Sequence, residues 1–214
     1  MLLLSAAAPA VFLVGLRCAE ACQRPGAYHP AAQTVSTLAG RGASDPWVMA
    51  GTMFGIGVAY VVVAAGLRGI PRLGRGLLGV GAASVIGTAL APQPAHGSST
   101  VHMTAMVIGC LAFACWPLAL AVDRGLDPRL RRGLLTASAA IVTALAWLCA
   151  QACVGGRDLG VAERVLILAQ TVPPMGVAAA VAFRAGGWRW PSISPVPTCG
   201  AVATGGHGRI RERR

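Results

Sequence analysis

Six stretches of this chain carry no formal charge, and they constrain the fold more than any other feature of it. A helix of about 20 residues crosses the hydrocarbon core of a bilayer. The runs at 2–16, 46–67, 76–91, 99–122, 133–154 and 165–183 reach or approach that length. Backbone polar groups in lipid have to bond one another, which leaves helices as the form such runs take. A chain of 214 residues that is 55% hydrophobic and 12% charged also falls outside the balance of a water-soluble domain. The expected fold class is therefore all-α, a six-helix transmembrane bundle over 1–184.

Two of the runs have soft ends. The first is short unless it continues through Arg17 and Glu20 toward Cys22, and the third is short and glycine-rich. The first lacks the basic leading segment of a signal peptide, and Leu16-Arg17-Cys18 is a poor cleavage site. A retained first helix is expected, and a start upstream of Met1 stays open.

All basic charge comes from arginine: there are eighteen arginines and no lysine, against seven acids, for a formal charge of +11. Clustered on a soluble face this would suit nucleic acid. Here the arginines fall between apolar runs, which makes them topology signals and excludes nucleic acid as the expected partner. Six spans place both termini on one side. Thirteen arginines then share that side, among them Arg68, Arg72, Arg75, Arg124, Arg129, Arg131 and Arg132, while five (Arg17, Arg24, Arg41, Arg157 and Arg164) lie opposite. The positive-inside rule puts both termini in the cytoplasm, and the arginine-rich, lysine-free composition suggests a bacterial inner membrane. Beyond the last run the sequence turns to Gly, Pro, Ser and Arg, with Trp188 and Trp190 placed to anchor at lipid headgroups. The segment 185–214 reads as a disordered basic cytoplasmic tail.

On this topology the polar residues able to do chemistry gather on the outer side. The longest connection, loop one at about 23–45, supplies Tyr28, His29, Gln33, Ser36 and Asp45. Loops of that length usually have a function or a structure of their own. Loop three adds His96, the start of the fourth span adds His102, and loop five adds Arg157, Asp158, Glu163 and Arg164. His102 lies inside an apolar run one turn past Ser99, where an ionisable side chain needs a partner. It reads either as a proton carrier meeting loop one or loop five, or as a boundary histidine that fixes the helix. Ser36, His102 and Asp45 have the residue types of a nucleophile, base and orienter, a combination that also arises by chance.

Other chemistries find less support. His29, His96 and His102 lack the spacing of a metal motif, and a second histidine for a haem is missing from the spans, so no metal and no cofactor is expected. Cys18 and Cys22 pair by position with Cys149 and Cys153 at the outer helix ends, either as a bridge or as small packing residues. Gly51 and Gly55 form a small-residue pair in the second span, and Pro173-Pro174 should kink the sixth. A small transporter would need polar residues along a path and an internal repeat. Only Gln151, Gln170 and Thr171 put sizeable polar groups into the last two spans.

The run from Tyr28 through His29, Pro30, Gln33, Thr34, Val35 and Ser36 to Leu38 and Gly40 resembles the early loop of a bacterial multi-pass membrane family known as domain of unknown function nine-nine-eight. Ala91-Pro92-Gln93-Pro94 ahead of His102, and Gly160-Val161-Ala162-Glu163-Arg164 before the last span, extend the likeness over about 10–184. Members often carry an acid after the loop serine where this chain has Thr37, which weakens any mechanism needing a carboxylate there. The family is distantly similar to the Frag/DRAM/Sfk group of six-helix membrane proteins. Neither resemblance implies an established activity. The resemblance points to Gln33, Ser36, His102, Glu163 and Arg164; His29 and Asp45 join them as residues lining an outer polar pocket. The leading expectation is a membrane protein that binds membrane lipid, a protein partner or its own copy through that pocket. The enzyme alternative acts on a lipid or isoprenoid, with His102 as acid or base and Ser36 assisting.

Overall fold

The computed structural model describes residues 2–68, 70–122 and 126–185, without the side chains of Leu2 and of 182–185. Arg124, Trp188, Trp190, Cys199 and the expected basic tail beyond 185 lie outside the described residues. Among those described there are seven helices and no strand: α1 Leu2–Ala21, α2 Val35–Leu38, α3 Pro46–Gly66, α4 Arg72–Leu90, α5 Thr100–Ala121, α6 Pro128–Val154 and α7 Leu159–Ala185. All except α2 are long and apolar enough to span a membrane. Only 28% to 44% of each spanning window is buried within the protein, so most of its apolar surface faces outward. The protein is a multi-pass integral membrane protein, and that outward surface is its contact with lipid.

The spans pack as a closed ring in chain order, α1 on α3, α3 on α4, α4 on α5, α5 on α6, α6 on α7 and α7 back on α1. The tightest seams rest on glycine. A Cβ on Gly81 of α4 would meet the Phe113 ring at 3.0 Å, and one on Gly109 of α5 would meet the Ser84 Cβ at 3.0 Å. Removing these side chains lets the two backbones approach, which is how helices gain packing where lipid gives no hydrophobic drive. Gly51 and Gly55 face open space instead and do not form an intramolecular contact. Tyr60 of α3 donates to the Thr171 carbonyl of α7 at 2.9 Å, and Ser138 of α6 to the Ala114 carbonyl of its neighbour α5 at 3.0 Å. The first bond falls beside Pro173 and Pro174, which lack the N–H groups that close the helical ladder; α7 nevertheless remains one helix through both prolines.

Four helices extend past their apolar runs, each for a local reason. α1 continues to Ala21 because Glu20 is paired with Arg17 and Arg164. α4 begins at Arg72, directly after Pro71. α6 begins at Pro128, where Asp127 accepts from the N–H groups of Arg129 and Leu130 at 2.9 and 3.2 Å, an N-cap that the hydropathy of the segment hides. α7 begins at Leu159, so Glu163 and Arg164 lie in its first turns and not in loop five. All described cysteines are free thiols, Cys110 buried and Cys18, Cys22, Cys115, Cys149 and Cys153 exposed. Cys18 and Cys22 on α1 are not bridged to Cys149 or Cys153 on α6.

Candidate functional site

Loop one folds back over one end of the ring, and the first turns of α7 hold it there. The Ala31 carbonyl accepts from the backbone N–H groups of Gly160 and Val161 at 2.8 and 3.2 Å, satisfying donors that a helix start leaves open. The approach is so close that a Cβ on Gly160 would sit 2.2 Å from the Gln33 carbonyl and 2.4 Å from that of Pro30. Glycine is the residue this contact permits.

Arg164 then ties three segments together. Its Nη1 donates to the carbonyls of Pro30 at 2.7 Å, Gly160 at 2.8 Å and Gln33 at 3.3 Å. Its Nη2 donates to Glu20 Oε1 of α1 at 2.9 Å and to the Tyr28 hydroxyl at 2.6 Å. The guanidinium also lies 5.8 Å from the centre of the Tyr28 ring. The Tyr28 hydroxyl in turn lies 3.1 Å from the carbonyls of Gln33 and Thr34. Burial pushes the Tyr28 phenol above its ordinary 10.0, with the neighbouring Arg164 opposing that shift.

The residue before Arg164 faces the other way. Loop one makes a single turn of helix, α2, capped by Thr34, whose side chain accepts from the Thr37 N–H at 3.2 Å. That turn presents the Val35 N–H to Glu163 Oε2 and the Ser36 hydroxyl to Glu163 Oε1, the latter at 2.9 Å. Ser36 Oγ also lies 3.3 Å from His102 Nε2, at the start of α5. His102 Nδ1 is 2.8 Å from the Ala91 carbonyl. A carbonyl only accepts, so Nδ1 carries a hydrogen and Nε2 is left to Ser36. His102 is 3% and Glu163 6% exposed, which makes these partners necessary.

The trio of Ser36, His102 and Glu163 stands at the meeting of two spaces. Below it, inside the ring, a pocket encloses about 710 Å³ of empty volume, part of it open to the outside. Its walls are mainly apolar, from Met49 and Met53 of α3 through Met106 and Phe113 of α5 to Leu166 of α7. On the other side, a vestibule of about 610 Å³ lies between loop one and the α4–α5 connection, lined by Thr34, Thr37 and Gln93 with small residues. Ser36 lines both spaces.

The structure thus brings Ser36, His102 and Glu163 together and gives Gln33 and Arg164 a different place. Gln33 braces loop one, its Oε1 accepting from the His29 N–H at 2.6 Å. The side chains of His29 and His96 are exposed, and neither lines the pocket or the vestibule. Asp45 precedes α3 without making a side-chain capping bond, and the Ala91 carbonyl occupies the position beside His102 that an orienting acid would take. Among the described residues there is no cluster of three His, Cys, Asp or Glu able to hold a metal. Sequence reasoning did not assign Gly160, Glu20 or the deep pocket residue Gln170 to the site. Gly160 left a signal as a glycine three residues ahead of a Glu-Arg pair, and Gln170 as a polar side chain within a span.

The chain belongs to the family described as Protein of unknown function (DUF998), whose model matches residues 6–180. The match takes in all six spans to within a turn of their ends, together with every residue of the trio and the clamp. No curated protein and no solved structure matches the chain.

Proposed function

We propose that this family member binds one amphipathic lipid, with its hydrocarbon chain in the pocket inside the ring and its head at Ser36, His102 and Glu163, open to the vestibule. The observation that carries this reading is the position of Ser36, whose side chain lines an apolar space on one side and a polar one on the other. Five arginines at the loop-one end against thirteen on the other side support a head site outside the cytoplasm, in a bacterial inner membrane.

Native mass spectrometry with lipid extraction tests this on wild type, His102→Ala and Ala89→Phe, the last placing an aromatic ring into the pocket wall. A defined lipid held by wild type and lost from both folded variants is the expected result. The same lipids in equal amounts on all three proteins would refute it.

A second reading, a membrane-embedded enzyme acting on a lipid or isoprenoid, draws support from the His102 contacts. The bond from Nδ1 to Ala91 fixes the ring so that Nε2 faces a hydroxyl at 3.3 Å, the arrangement of a general base. Conversion of the retained lipid by wild type, abolished in His102→Ala, is what this reading requires.

A further inference from the structure

We infer that the head site is electrically neutral and selects a lipid whose head is an uncharged hydroxyl or ester over one that carries phosphate. The inference rests on the lipid-binding reading above and names the class of lipid.

The hydrogens available to the trio fix its charge. Two hydrogen-bond gaps separate three atoms, one between Glu163 Oε1 and Ser36 Oγ at 2.9 Å and one between Ser36 Oγ and His102 Nε2 at 3.3 Å. Each gap needs one hydrogen. Ser36 supplies one, and Nδ1–H is committed to Ala91. With an ionised Glu163 and a neutral His102, one gap would therefore face lone pair against lone pair in a buried place. One further proton fills it. That proton rests on Glu163, giving a carboxylic acid beside a neutral imidazole, or on His102, giving a carboxylate and an imidazolium. The two forms interconvert when Oε1–H passes to Oγ as Oγ–H passes to Nε2, and both have zero net charge. Among hydrocarbon walls the neutral total is the form that avoids an isolated charge.

The arginine that follows Glu163 in the chain is already spent. A phosphate head would draw on Arg164, but the four Nη hydrogens of Arg164 already face Pro30, Gly160, Gln33, Glu20 and Tyr28. Arg41 is exposed beside the vestibule and does not line it. The vestibule offers hydroxyls and an amide from Thr34, Thr37 and Gln93, which suit a neutral polar head.

A further constraint comes from deeper in the pocket. Gln170 lies seven residues after Glu163 on α7, about 10 Å along the helix. Its Nε2 is buried without an oxygen or nitrogen acceptor, beside the weakly accepting Cys110 thiol, and its side chain lines the pocket. A buried amide donor of this kind calls for an acceptor. An ester or hydroxyl oxygen carried by the lipid supplies one, which a plain prenyl chain does not.

The test uses the full-length protein in nanodiscs and a monoacylglycerol with a photoreactive diazirine in its chain, displaced by unlabelled monoacylglycerol, phosphatidylglycerol or polyprenyl phosphate. Labelling of pocket residues, displaced about tenfold more readily by monoacylglycerol than by either phosphate lipid, is expected. Glu163→Gln keeps a donor for Ser36 and an acceptor for Val35 with no charge to titrate, and in it the preference for monoacylglycerol over both phosphate lipids should persist. Equal or better displacement by a phosphate lipid overturns the inference and leaves the lipid pocket standing. So does a folded Glu163→Gln protein in which a phosphate lipid displaces the probe as readily as monoacylglycerol. Absence of pocket labelling by any probe overturns the lipid-binding reading, and the inference with it.

Discussion

Glu163 and Arg164 are consecutive residues of one helix, yet they belong to different machines. Arg164 turns toward α1 and loop one, and its Nη hydrogens are all taken by Glu20, Tyr28 and three carbonyls. Glu163 turns inward, shares one hydroxyl with His102, and stands over a cavity. Successive residues on a helix point about 100° apart, so a single Glu-Arg pair serves both the fastening of the loop and the lining of the site. Polar residues crowded at one end of a membrane bundle therefore do not all belong to the site. Those whose partners are complete hold the site together, and those left facing a space can meet a ligand.

Removing the fastening should have the largest effect. Arg164→Ala leaves Glu20 and the loop carbonyls without their donor. Breaking a largely buried ion pair of this kind costs about 3–5 kcal/mol, so the protein should fail to accumulate in the membrane; a normal yield and thermal midpoint would contradict the clamp. Gly160→Ala comes next, because its Cβ would lie 2.2 Å from the Gln33 carbonyl. Loop one should lift off α7 at a cost of about 2–4 kcal/mol, read as faster protease cleavage within 23–45.

The inward-facing side should behave differently. Glu163→Gln should lower stability by less than about 1 kcal/mol, whereas Glu163→Ala, which strands the Val35 N–H, should cost about 1–3 kcal/mol in a denaturation series. If the glutamine variant is as damaged as the alanine one, Glu163 belongs with the clamp.

Alkaline pH gives a smaller, signed effect. The Tyr28 phenol titrates above 10.0 in the folded protein, so its contribution is complete below the unfolded value near 10 and is lost as pH rises through the folded one. Wild type should lose stability in that window and Tyr28→Phe should lose less, having given up about 1 kcal/mol at neutral pH. The smallest effects belong to His29→Ala and Asp45→Asn, each expected within about 0.5 kcal/mol of wild type with lipid retention unchanged.

How far the sequence revealed this molecule depends on which force placed each residue. The spans were legible because lipid imposes one long apolar signal, and α3 and α5 begin within a residue of their uncharged runs. The starts of α6 and α7 were not, since Asp127 with Pro128, and the Ala31 carbonyl at Gly160, begin those helices among charged and polar residues. His102 stood out as an ionisable group inside an apolar run, and Ser36 through the family-like loop. Their contact was invisible because it depends on a single turn of helix in loop one, where Val35–Leu38 carries no periodicity of its own. The same limit put Asp45 instead of Glu163 with Ser36 and His102, since spacing along a chain does not say which face of a ring a residue meets.

The central claim is that a lipid chain enters the ring while its head stays at loop one. It is tested most directly by mapping crosslinks from two probes of the same monoacylglycerol, one with a diazirine at the head and one at the chain end. The head probe should mark residues around Ser36 and Gln93, and the chain-end probe Met53 and Phe113 on the inner walls. Crosslinks from both probes confined to outward-facing residues such as Val58, Val62 and Val107 would contradict it.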